Sequence, residues 1–223
     1  MGFNVAIDGP AGSGKSTVAK RAAAQLHFYY VDTGAMYRAI GLYMSRIGVD
    51  LQNEEQVSAH IGETRIDLAY DASGQRVLLN GEDVTPVLRS EEVGAMASAV
   101  SRYPAVRNHL TELQRTLARE HDVIMDGRDI GTCILPHAGL KIFLTADPAV
   151  RARRRVGELR EKGKKADFDQ ILAEIIARDD QDEHRKVAPL RQAEDAVRLD
   201  TSDMSIDAVT GEIVRLAREK MEK

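Results

Sequence analysis

A glycine-rich segment near the start of the chain constrains the fold more than any other feature of the sequence. Residues 9–16 read GPAGSGKS and satisfy the pattern G-x-x-x-x-G-K-[ST] at every fixed position. The short apolar run Phe3–Asp8 predicts a buried strand before the segment, and the alanine-rich run Lys15–Leu26 predicts a helix after it. A strand, a glycine-rich loop and a helix in this order form the setting in which the pattern binds phosphate groups.

The segment carries the groups that a nucleoside triphosphate needs. Its glycines let successive N–H groups point into one concavity, and the start of the helix adds further donors. We expect Lys15 to reach the β- and γ-phosphates of the nucleotide and the Ser16 hydroxyl to coordinate Mg²⁺. The alternative is a glycine-rich turn without a ligand, and the flanking strand and helix argue against it. The predicted ATP-binding residues are Gly9, Pro10, Ala11, Gly12, Ser13, Gly14, Lys15, Ser16 and Thr17.

The succession of elements predicts an α/β fold with a parallel sheet. Phe28–Asp32 has the composition of a second strand, and Thr33 is the predicted cap of a helix that runs to Ile47. Strands that alternate with helices are typical of parallel sheets. Pro104 opens a later predicted helix, with Val106, Leu110, Leu113 and Leu117 on one stripe. Further strands are predicted at Asp122–Asp126, Leu140–Thr145 and Ala196–Asp200. Further helices are predicted from Pro148 to near Gly163, at Phe168–Arg185, and at the end of the chain, where the marker residues are Ile206, Val209, Ile213 and Leu216.

A different pattern interrupts this succession in the middle of the chain. Arg65–Asp71 alternates as a half-buried strand, Ser73-Gly74 is a turn signal, and Arg76–Leu79 is a short strand. Asn80-Gly81 is a tight-turn dipeptide, after which Glu82–Thr85 is the predicted third strand. The sequence therefore predicts a small antiparallel meander in a lobe inserted into the α/β fold.

Composition excludes several classes of protein. The net charge of −4 argues against a general binder of nucleic-acid polymers, and the single cysteine, Cys133, cannot form an internal disulfide. We expect no membrane span, since no run of eighteen apolar residues occurs, and no signal peptide at the N-terminus. A cytoplasmic enzyme is the resulting expectation. The small size and the polar closing helix favour a monomer.

A cluster of arginines indicates a kinase rather than a guanine-specific GTPase. The sequence has no N-K-x-D or T-K-x-D segment, which such a GTPase requires. A kinase needs an acceptor pocket and a closing lid that excludes water and neutralises the moving phosphoryl group. Arg151, Arg153, Arg154 and Arg155 crowd one stretch, and the basic run Lys162–Lys165 follows them. The alternative is a solvated basic helix face.

The helix predicted from Phe168 changes character along one stripe. Ile171 and Ile175 continue into Arg178, Asp182 and Arg185 at helical spacing. Charges on an inward stripe need partners, so the helix is expected to enter a polar cleft that holds phosphates. An intrahelical ladder through Arg178, Asp182 and Arg185, with no function, is the alternative.

Two further segments follow predicted parallel strands, where ligands of such sheets bind. Asp126-Gly127-Arg128-Asp129 follows one strand, and Asp32-Thr33-Gly34 follows another and leads into Tyr37 and Arg38. Helix N-termini and arginines suit an incoming phosphate. For the first segment, a surface turn with a salt bridge is the alternative.

These residues belong to segments that extend over essentially the whole chain. The segments are Gly9–Thr17, Asp32–Arg38, Asn80–Val84, Ala97-Ser98, Pro104-x-Val106-Arg107, Asp126–Thr132, Arg178-Asp179-Asp180-x-Asp182, Arg185 and Val187–Leu190. Through them the chain resembles the bacterial cytidylate kinases. Two positions depart mildly from that family: Thr33 stands where serine is usual, with the hydroxyl retained, and Val31 stands where leucine is frequent.

The resemblance implies a fold and a reaction. The implied fold is a P-loop NTPase three-layer α/β domain over residues 1–223, with a five-stranded parallel sheet in a core of residues 1–32, 121–150 and 186–223. Residues 33–120 would form the inserted lobe that binds the nucleoside monophosphate, and residues 151–185 the arginine-rich lid and the helix after it. The implied reaction moves the γ-phosphoryl group of ATP to CMP or dCMP.

Carried over to this chain, the resemblance also implies a CMP site. Asp129 and Arg107, supported by Ser98, would recognise cytosine, because a carboxylate accepts from its amino group and an arginine donates to N3 or O2. Arg38, Arg128 and Arg185 would hold the phosphate, and Asp182 and Arg178 would meet the sugar hydroxyls or brace the arginines. Lys15, Arg154 and Arg155 are the predicted catalytic residues. The full predicted acceptor site is Thr33, Tyr37, Arg38, Ser98, Arg107, Arg128, Asp129, Arg178, Asp182 and Arg185.

Two other functions remain compatible with the residues alone. One is a P-loop kinase for a different monophosphate or for a non-nucleotide acceptor, which would show no preference for cytosine. The other is a non-catalytic module that binds ATP or GTP. Arginines on both sides of the expected cleft argue against the second.

Overall fold

The structure is a computed structural model that describes residues 2–71 and 74–222. Ser73, part of the predicted turn Ser73-Gly74, lies outside the described residues. The strands are β1 (Asn4–Asp8), β2 (Tyr29–Asp32), β3 (Ile66–Asp71), β4 (Gly74–Leu79), β5 (Glu82–Asp83), β6 (Val123–Gly127), β7 (Leu140–Thr145) and β8 (Val197–Asp200). The helices are α1 (Lys15–Leu26), α2 (Thr33–Arg46), α3 (Glu54–His60), α4 (Glu91–Val100), α5 (Pro104–Glu120), α6 (Pro148–Glu161), α7 (Phe168–His184) and α8 (Ile206–Met221), with a 3₁₀ turn at Ile61–Glu63 and a π-helical turn at Ile130–Ile134.

The chain divides into two compact units. The inserted unit is Tyr30–Glu120, and the core unit is Gly2–Tyr29 together with the chain from His121 onward. No helix in the described part of either unit combines the length and the apolar character that crossing a membrane would require.

The larger of the two sheets has five parallel strands. Its strand order is β2-β6-β1-β7-β8, so β1 lies in the middle. Asp8 is in register with Gly127 on β6, and Thr145 on β7 is in register with Asp200 on β8. The carboxyl ends of these strands therefore meet at one edge of the sheet, where ligands of such sheets bind. Helices α1 and α8 pack against each other and against the strands. The α/β fold with five parallel strands is thus confirmed.

Helices α6 and α7 form a pair with a small apolar core of their own. Ala152, Val156 and Leu159 of α6 are buried against Ile171 of α7, and half-buried apolar side chains surround them. Both helices are otherwise rich in charged residues. Next to this stripe on α6, Arg151 is buried, whereas Arg153 is exposed.

The inserted unit contains the predicted meander, with one shorter strand. Asn80 and Gly81 have φ values of 50° and 86° and join the paired residues Leu79 and Glu82, as expected of a two-residue hairpin turn. Strand β5 ends at Asp83 rather than at the predicted Thr85. The Asp83 carboxylate accepts from the Thr85 N–H at 3.0 Å, and this turn takes the backbone out of the sheet.

Two helices of the inserted unit were absent from the sequence-based expectation. Asn53 caps α3 by accepting from the Gln56 N–H, and Ser90 caps α4 by accepting from the Val93 N–H. Each cap precedes two glutamates in the first turn, and that signal could have identified both helices. Helix α4 then packs closely on α2.

One detail of the predicted helices is wrong, and in two other helices the buried face differs from the apolar residues that marked the helix. Thr33 does not cap α2, because the Asp32 carboxylate performs that role through the Ala35 N–H at 2.9 Å. The buried side of α5 passes through Arg107 and Gln114, whereas the predicted Leu113 and Leu117 are half-buried. Ile206 is 47% exposed, so the inward stripe of α8 begins at Val209. At α2 a neighbouring carboxylate takes over the cap. In α5 and α8 the buried face is displaced around the helix from some of the predicted apolar residues.

The close packing of α2 on α4 depends on a glycine. A Cβ at Gly41 would lie 2.8 Å from Met96 Cβ and 2.9 Å from the Met96 carbonyl carbon. We expect Gly41→Ala to lower the free energy of unfolding by about 1 to 3 kcal/mol through overpacking. Urea denaturation would measure the change.

Gly94→Ala is the matched control for this substitution. Gly94 lies in α4, and no atom lies within 4 Å of a Cβ built there. This substitution is expected to raise the free energy of unfolding by about 0.4 to 1 kcal/mol, because alanine restricts the unfolded chain more than glycine does. Equal stability of the two variants would contradict the packing argument.

Candidate active site

The phosphate loop between β1 and α1 depends on backbone conformations that favour glycine. Gly9, Gly12 and Gly14 have φ values of 149°, 72° and 89°. A Cβ at Gly9 would also lie 1.9 Å from the Leu144 carbonyl oxygen on β7, so no other residue fits there. The loop is therefore shaped by its contact with the sheet as well as by its own sequence.

Lys15, the first residue of α1, folds back over this loop. Its amine donates to the Pro10 carbonyl at 2.6 Å and to the Ser13 hydroxyl at 3.4 Å, and only 5% of the residue is exposed. Burial lowers the pKa of Lys15 well below its ordinary value, and the nearby charge of Arg128 lowers it further. Phosphate groups in the loop would supply the negative charge that a buried ammonium requires.

Ser16 contacts a carboxylate that is not among the predicted site residues. Its hydroxyl, in the first turn of α1, donates to Asp126 Oδ2 on β6 at 2.8 Å, and Asp126 is 5% exposed. A hydroxyl and a carboxylate are hard oxygen ligands, which Mg²⁺ prefers, so the pair fits this ion. The signal was available, because Asp126 ends a predicted strand of the same sheet.

The loop after β6 forms two ion pairs with the end of α7. Arg128 Nε donates to Asp182 Oδ2 at 2.8 Å, and Arg185 donates to Asp129 Oδ1 at 3.2 Å. Burial by itself would raise the pKa of Asp182, but the charge and hydrogen bond of Arg128 outweigh it and hold that pKa below its usual value. Asp182 is thus paired across the site, which is not the intrahelical ladder considered as an alternative. Arg178 is exposed, and its charge adds to the lowering.

Arg151 connects three parts of the core unit. Its guanidinium donates to the Asp179 carboxylate on α7 at 3.1 and 2.6 Å, to the Ala11 carbonyl of the phosphate loop at 3.0 Å, and to the Ala146 carbonyl after β7 at 2.9 Å. Arg151 is 3% exposed. A bidentate arginine–carboxylate pair of this kind fixes orientation as well as distance. Arg151 therefore ties α7 to the phosphate loop.

The other arginines of the predicted lid have separate partners. Arg154 donates to the Thr201 carbonyl at 2.5 Å, and Thr201 Oγ1 lies 3.5 Å from the Ser13 carbonyl oxygen of the phosphate loop. Arg155 is half-buried and pairs with Glu158 on its own helix, and Arg153 is exposed. Arg154 thus lies close to the phosphate loop, while Arg155 is held near the surface of α6.

The inserted unit carries the remaining predicted acceptor residues. Thr33 is buried in the first turn of α2, and the Tyr37 ring lies 5.7 Å from the Arg107 guanidinium carbon. Arg107 is 5% exposed and donates to the Ser101 carbonyl at 3.1 Å. Within this unit the structure therefore brings Tyr37 and Arg107 together. Ser98 and Arg38 are half-buried, on α4 and α2 respectively.

These features define a class of protein. A phosphate loop with a buried lysine, a serine–aspartate pair and ion-paired arginines, at the edge of a parallel sheet, is the apparatus of a P-loop nucleotide-binding protein. The family description "Cytidylate kinase" matches residues 5–219. The chain belongs to the cytidylate kinase family and is a kinase, and this membership implies the use of ATP.

Individual relatives agree with this assignment. The cytidylate kinase of Anoxybacillus flavithermus is 48% identical over 220 residues, which cover 99% of this chain and 98% of the relative. That of Thermotoga maritima is 44% identical over 221 residues, 99% of each chain. A solved structure, an uncharacterized protein from Eubacterium ventriosum, has a TM-score of 0.51 and 11% identity and covers 97% of this chain and 98% of its own, so the likeness is one of fold alone.

Removing one partner of the ion pair between Arg151 and Asp179 is expected to destabilise the protein strongly. Arg151→Ala leaves a half-buried carboxylate and two backbone carbonyls without their donor, and we expect the free energy of unfolding to fall by about 3 to 5 kcal/mol. Arg160→Ala, on the exposed side of the same helix, is the control and should change stability by less than about 0.5 kcal/mol. Urea denaturation of both variants measures the change in the free energy of unfolding. Equal stabilities of the two variants would refute the stabilising role of the Arg151–Asp179 pair.

Proposed function

We propose that the enzyme transfers the γ-phosphoryl group of ATP to CMP or dCMP and releases ADP with CDP or dCDP. One observation carries the proposal: Arg128 and Asp129, at the end of the strand next to β1, are held by opposite charges from Asp182 and Arg185. Arginines at this position suit the phosphate of an acceptor, and a carboxylate suits the discrimination of a base. Membership of the cytidylate kinase family supports the same reaction.

The reaction moves one phosphoryl group between two phosphate chains. A phosphate oxygen of the acceptor forms a bond to the γ-phosphorus of ATP, and the bond from that phosphorus to the β,γ-bridging oxygen breaks, its electron pair leaving with ADP. The acceptor oxygen is already anionic at neutral pH, so it needs orientation and no general base is assigned. The protein contributes alignment, neutralisation of charge and exclusion of water.

The phosphate loop would hold ATP through its backbone N–H groups and Lys15. The lysine amine would exchange the Pro10 carbonyl for the β- and γ-phosphates, which favour its charged form. Ser16 and Asp126 would hold Mg²⁺. When bound, this ion neutralises charge on the β- and γ-phosphates.

Asp129 and Arg107 are the proposed cytosine contacts, with Ser98 in support. Asp129 would accept from the N4 amino group, and Arg107 would donate to N3 or O2. Uracil would present its O4 acceptor to the carboxylate, and two acceptors with no proton between them repel each other. A polar site that is mismatched in this way discriminates strongly.

The remaining acceptor contacts would be made by positive charges around the monophosphate. Arg38, Arg128 and Arg185 would bind it, and Arg178 and Asp182 would meet the sugar hydroxyls or brace those arginines. The existing pairs of Arg128 and Arg185 with carboxylates support this role, because such pairs preorganise the guanidinium groups before the substrate arrives. Thr33 and Tyr37 would complete the site. We also propose that the enzyme acts as a cytoplasmic monomer.

Residues 151–185 are proposed to act as the lid, with Arg154 and Arg155 neutralising the transferred phosphoryl group. Of the two, Arg154 has the stronger structural support, since it bonds to Thr201, which contacts the phosphate loop. We expect Arg154→Ala to lower kcat at least about tenfold with a smaller change in the KM of ATP. Steady-state kinetics test this, with Arg160→Ala as control, and unchanged turnover would remove Arg154 from the catalytic set.

The choice of acceptor can be measured directly. In a coupled assay of ADP release with Mg-ATP, we expect CMP and dCMP to exceed UMP, AMP and GMP at least tenfold, which corresponds to about 1.4 kcal/mol. Equal turnover of UMP would refute the proposed roles of Asp129 and Arg107 while leaving the kinase in place. If none of the five accelerated ADP release, the proposed acceptor class would be wrong.

A further inference from the structure

Asp8 is a buried carboxylate that the reaction scheme above does not use. It is the last residue of β1, it immediately precedes Gly9 of the phosphate loop, and it is 4% exposed. Its Oδ1 accepts from the Ile130 N–H at 2.8 Å and its Oδ2 from the Gly131 N–H at 2.7 Å. Both oxygens are therefore committed to the segment that follows Asp129.

Keeping the Asp8 carboxylate charged in the interior has an energetic cost. Burial raises the pKa of Asp8 to about 6, although both backbone hydrogen bonds and the charge of Lys15 act in the opposite direction. The neighbouring Asp129 carboxylate raises it as well. An uncharged side chain would avoid this cost, but it could not accept from two N–H groups with the strength of a carboxylate.

The segment that Asp8 holds has a tight and specific shape. Residues Ile130–Ile134 form a π-helical turn, and the Asp129 carbonyl accepts from the Cys133 N–H at 2.8 Å. A Cβ at Gly131 would lie 3.3 Å from Asp8 Oδ2 and 3.2 Å from Lys141 Cδ. The backbone after Asp129 is thus confined between the Asp8 carboxylate and the Lys141 side chain.

We propose that Asp8 is a positioning residue that aligns the acceptor-binding residues Arg128 and Asp129 with the phosphate loop. It is covalently joined to that loop through Gly9 and hydrogen-bonded to the two residues that directly follow Asp129. One side chain thereby fixes the spacing between the group that holds ATP and the groups that hold the acceptor. The inference rests on the proposed function, since it assigns the acceptor to Arg128 and Asp129.

The direct test replaces one acceptor atom. In Asp8→Asn one carboxylate oxygen is replaced by an amide NH₂ group, which donates and cannot accept. One of the two backbone N–H groups therefore loses its acceptor. We expect kcat/KM for CMP to fall at least about tenfold and the preference for CMP over UMP to shrink, while the KM of ATP stays within about twofold. Asp207→Asn is the control, because Asp207 is also paired, with Arg21, but is exposed and outside the site.

A second variant disturbs the same contact from the opposite side and guards against misfolding of the first. Gly131→Ala places a methyl group between Asp8 and Lys141, and we expect the same loss in kcat/KM for CMP and in base preference. Thermal unfolding is recorded for every variant. A role confined to stability would lower the melting temperature and leave base preference and the KM of ATP as in the parent enzyme.

The possible outcomes separate this inference from the proposed function. Parent-like CMP kinetics and base preference in a folded Asp8→Asn or Gly131→Ala enzyme overturn the positioning role, as does a loss confined to the KM of ATP. If the parent enzyme itself prefers another monophosphate, the proposed function fails. The same variants are then compared on that acceptor, and a drop in its kcat/KM at constant KM of ATP still supports the role of Asp8.

Discussion

Three pairs of opposite charges, buried or half-buried, hold the functional edge of the core sheet. Asp182 faces Arg128, Arg185 faces Asp129, and Arg151 faces Asp179. Each pair joins α7 to a segment that follows a parallel strand. Because a buried charge is tolerated only beside a partner, the pairs restrict the positions that α7 can take relative to the sheet. Under the proposed assignment, Arg128, Asp129, Asp182 and Arg185 would also contact the acceptor, so that one set of interactions would serve both assembly and recognition.

The features that could be predicted from sequence are those fixed by local conformation. The glycine pattern of residues 9–16 and the Asn80-Gly81 dipeptide each require positive φ angles, and both appear where expected. The sheet could be predicted because the alternation of strands and helices leaves few topologies. Boundaries were less accurate where a side chain competes with the backbone, as Asp32 does at the start of α2 and Asp83 does at the end of β5.

The site was predictable only as a set of residue types. Four arginines in a short stretch of α6 look alike in the sequence, but the helical turn separates them, and Arg151 is turned inward while Arg153 is exposed. Asp8 and Asp126 were not selected, because their roles arise from partners more than 100 positions away in the chain. Such contacts follow from sheet register rather than from any local motif. The assignment of the acceptor residues to particular groups of CMP remains a prediction.

The position of Lys15 in the phosphate loop has a thermodynamic consequence. The amine bonds to the loop's own carbonyl and hydroxyl, and burial lowers its pKa. A bound polyphosphate would favour the charged amine, because an opposite charge nearby raises the pKa of a lysine, so the loop would take up a proton as ATP binds wherever the amine was neutral beforehand. By linkage, the affinity for ATP then declines as the solution becomes more alkaline. The loop is in this sense a site for two ligands, a nucleotide and a proton, whose binding is mutually reinforcing.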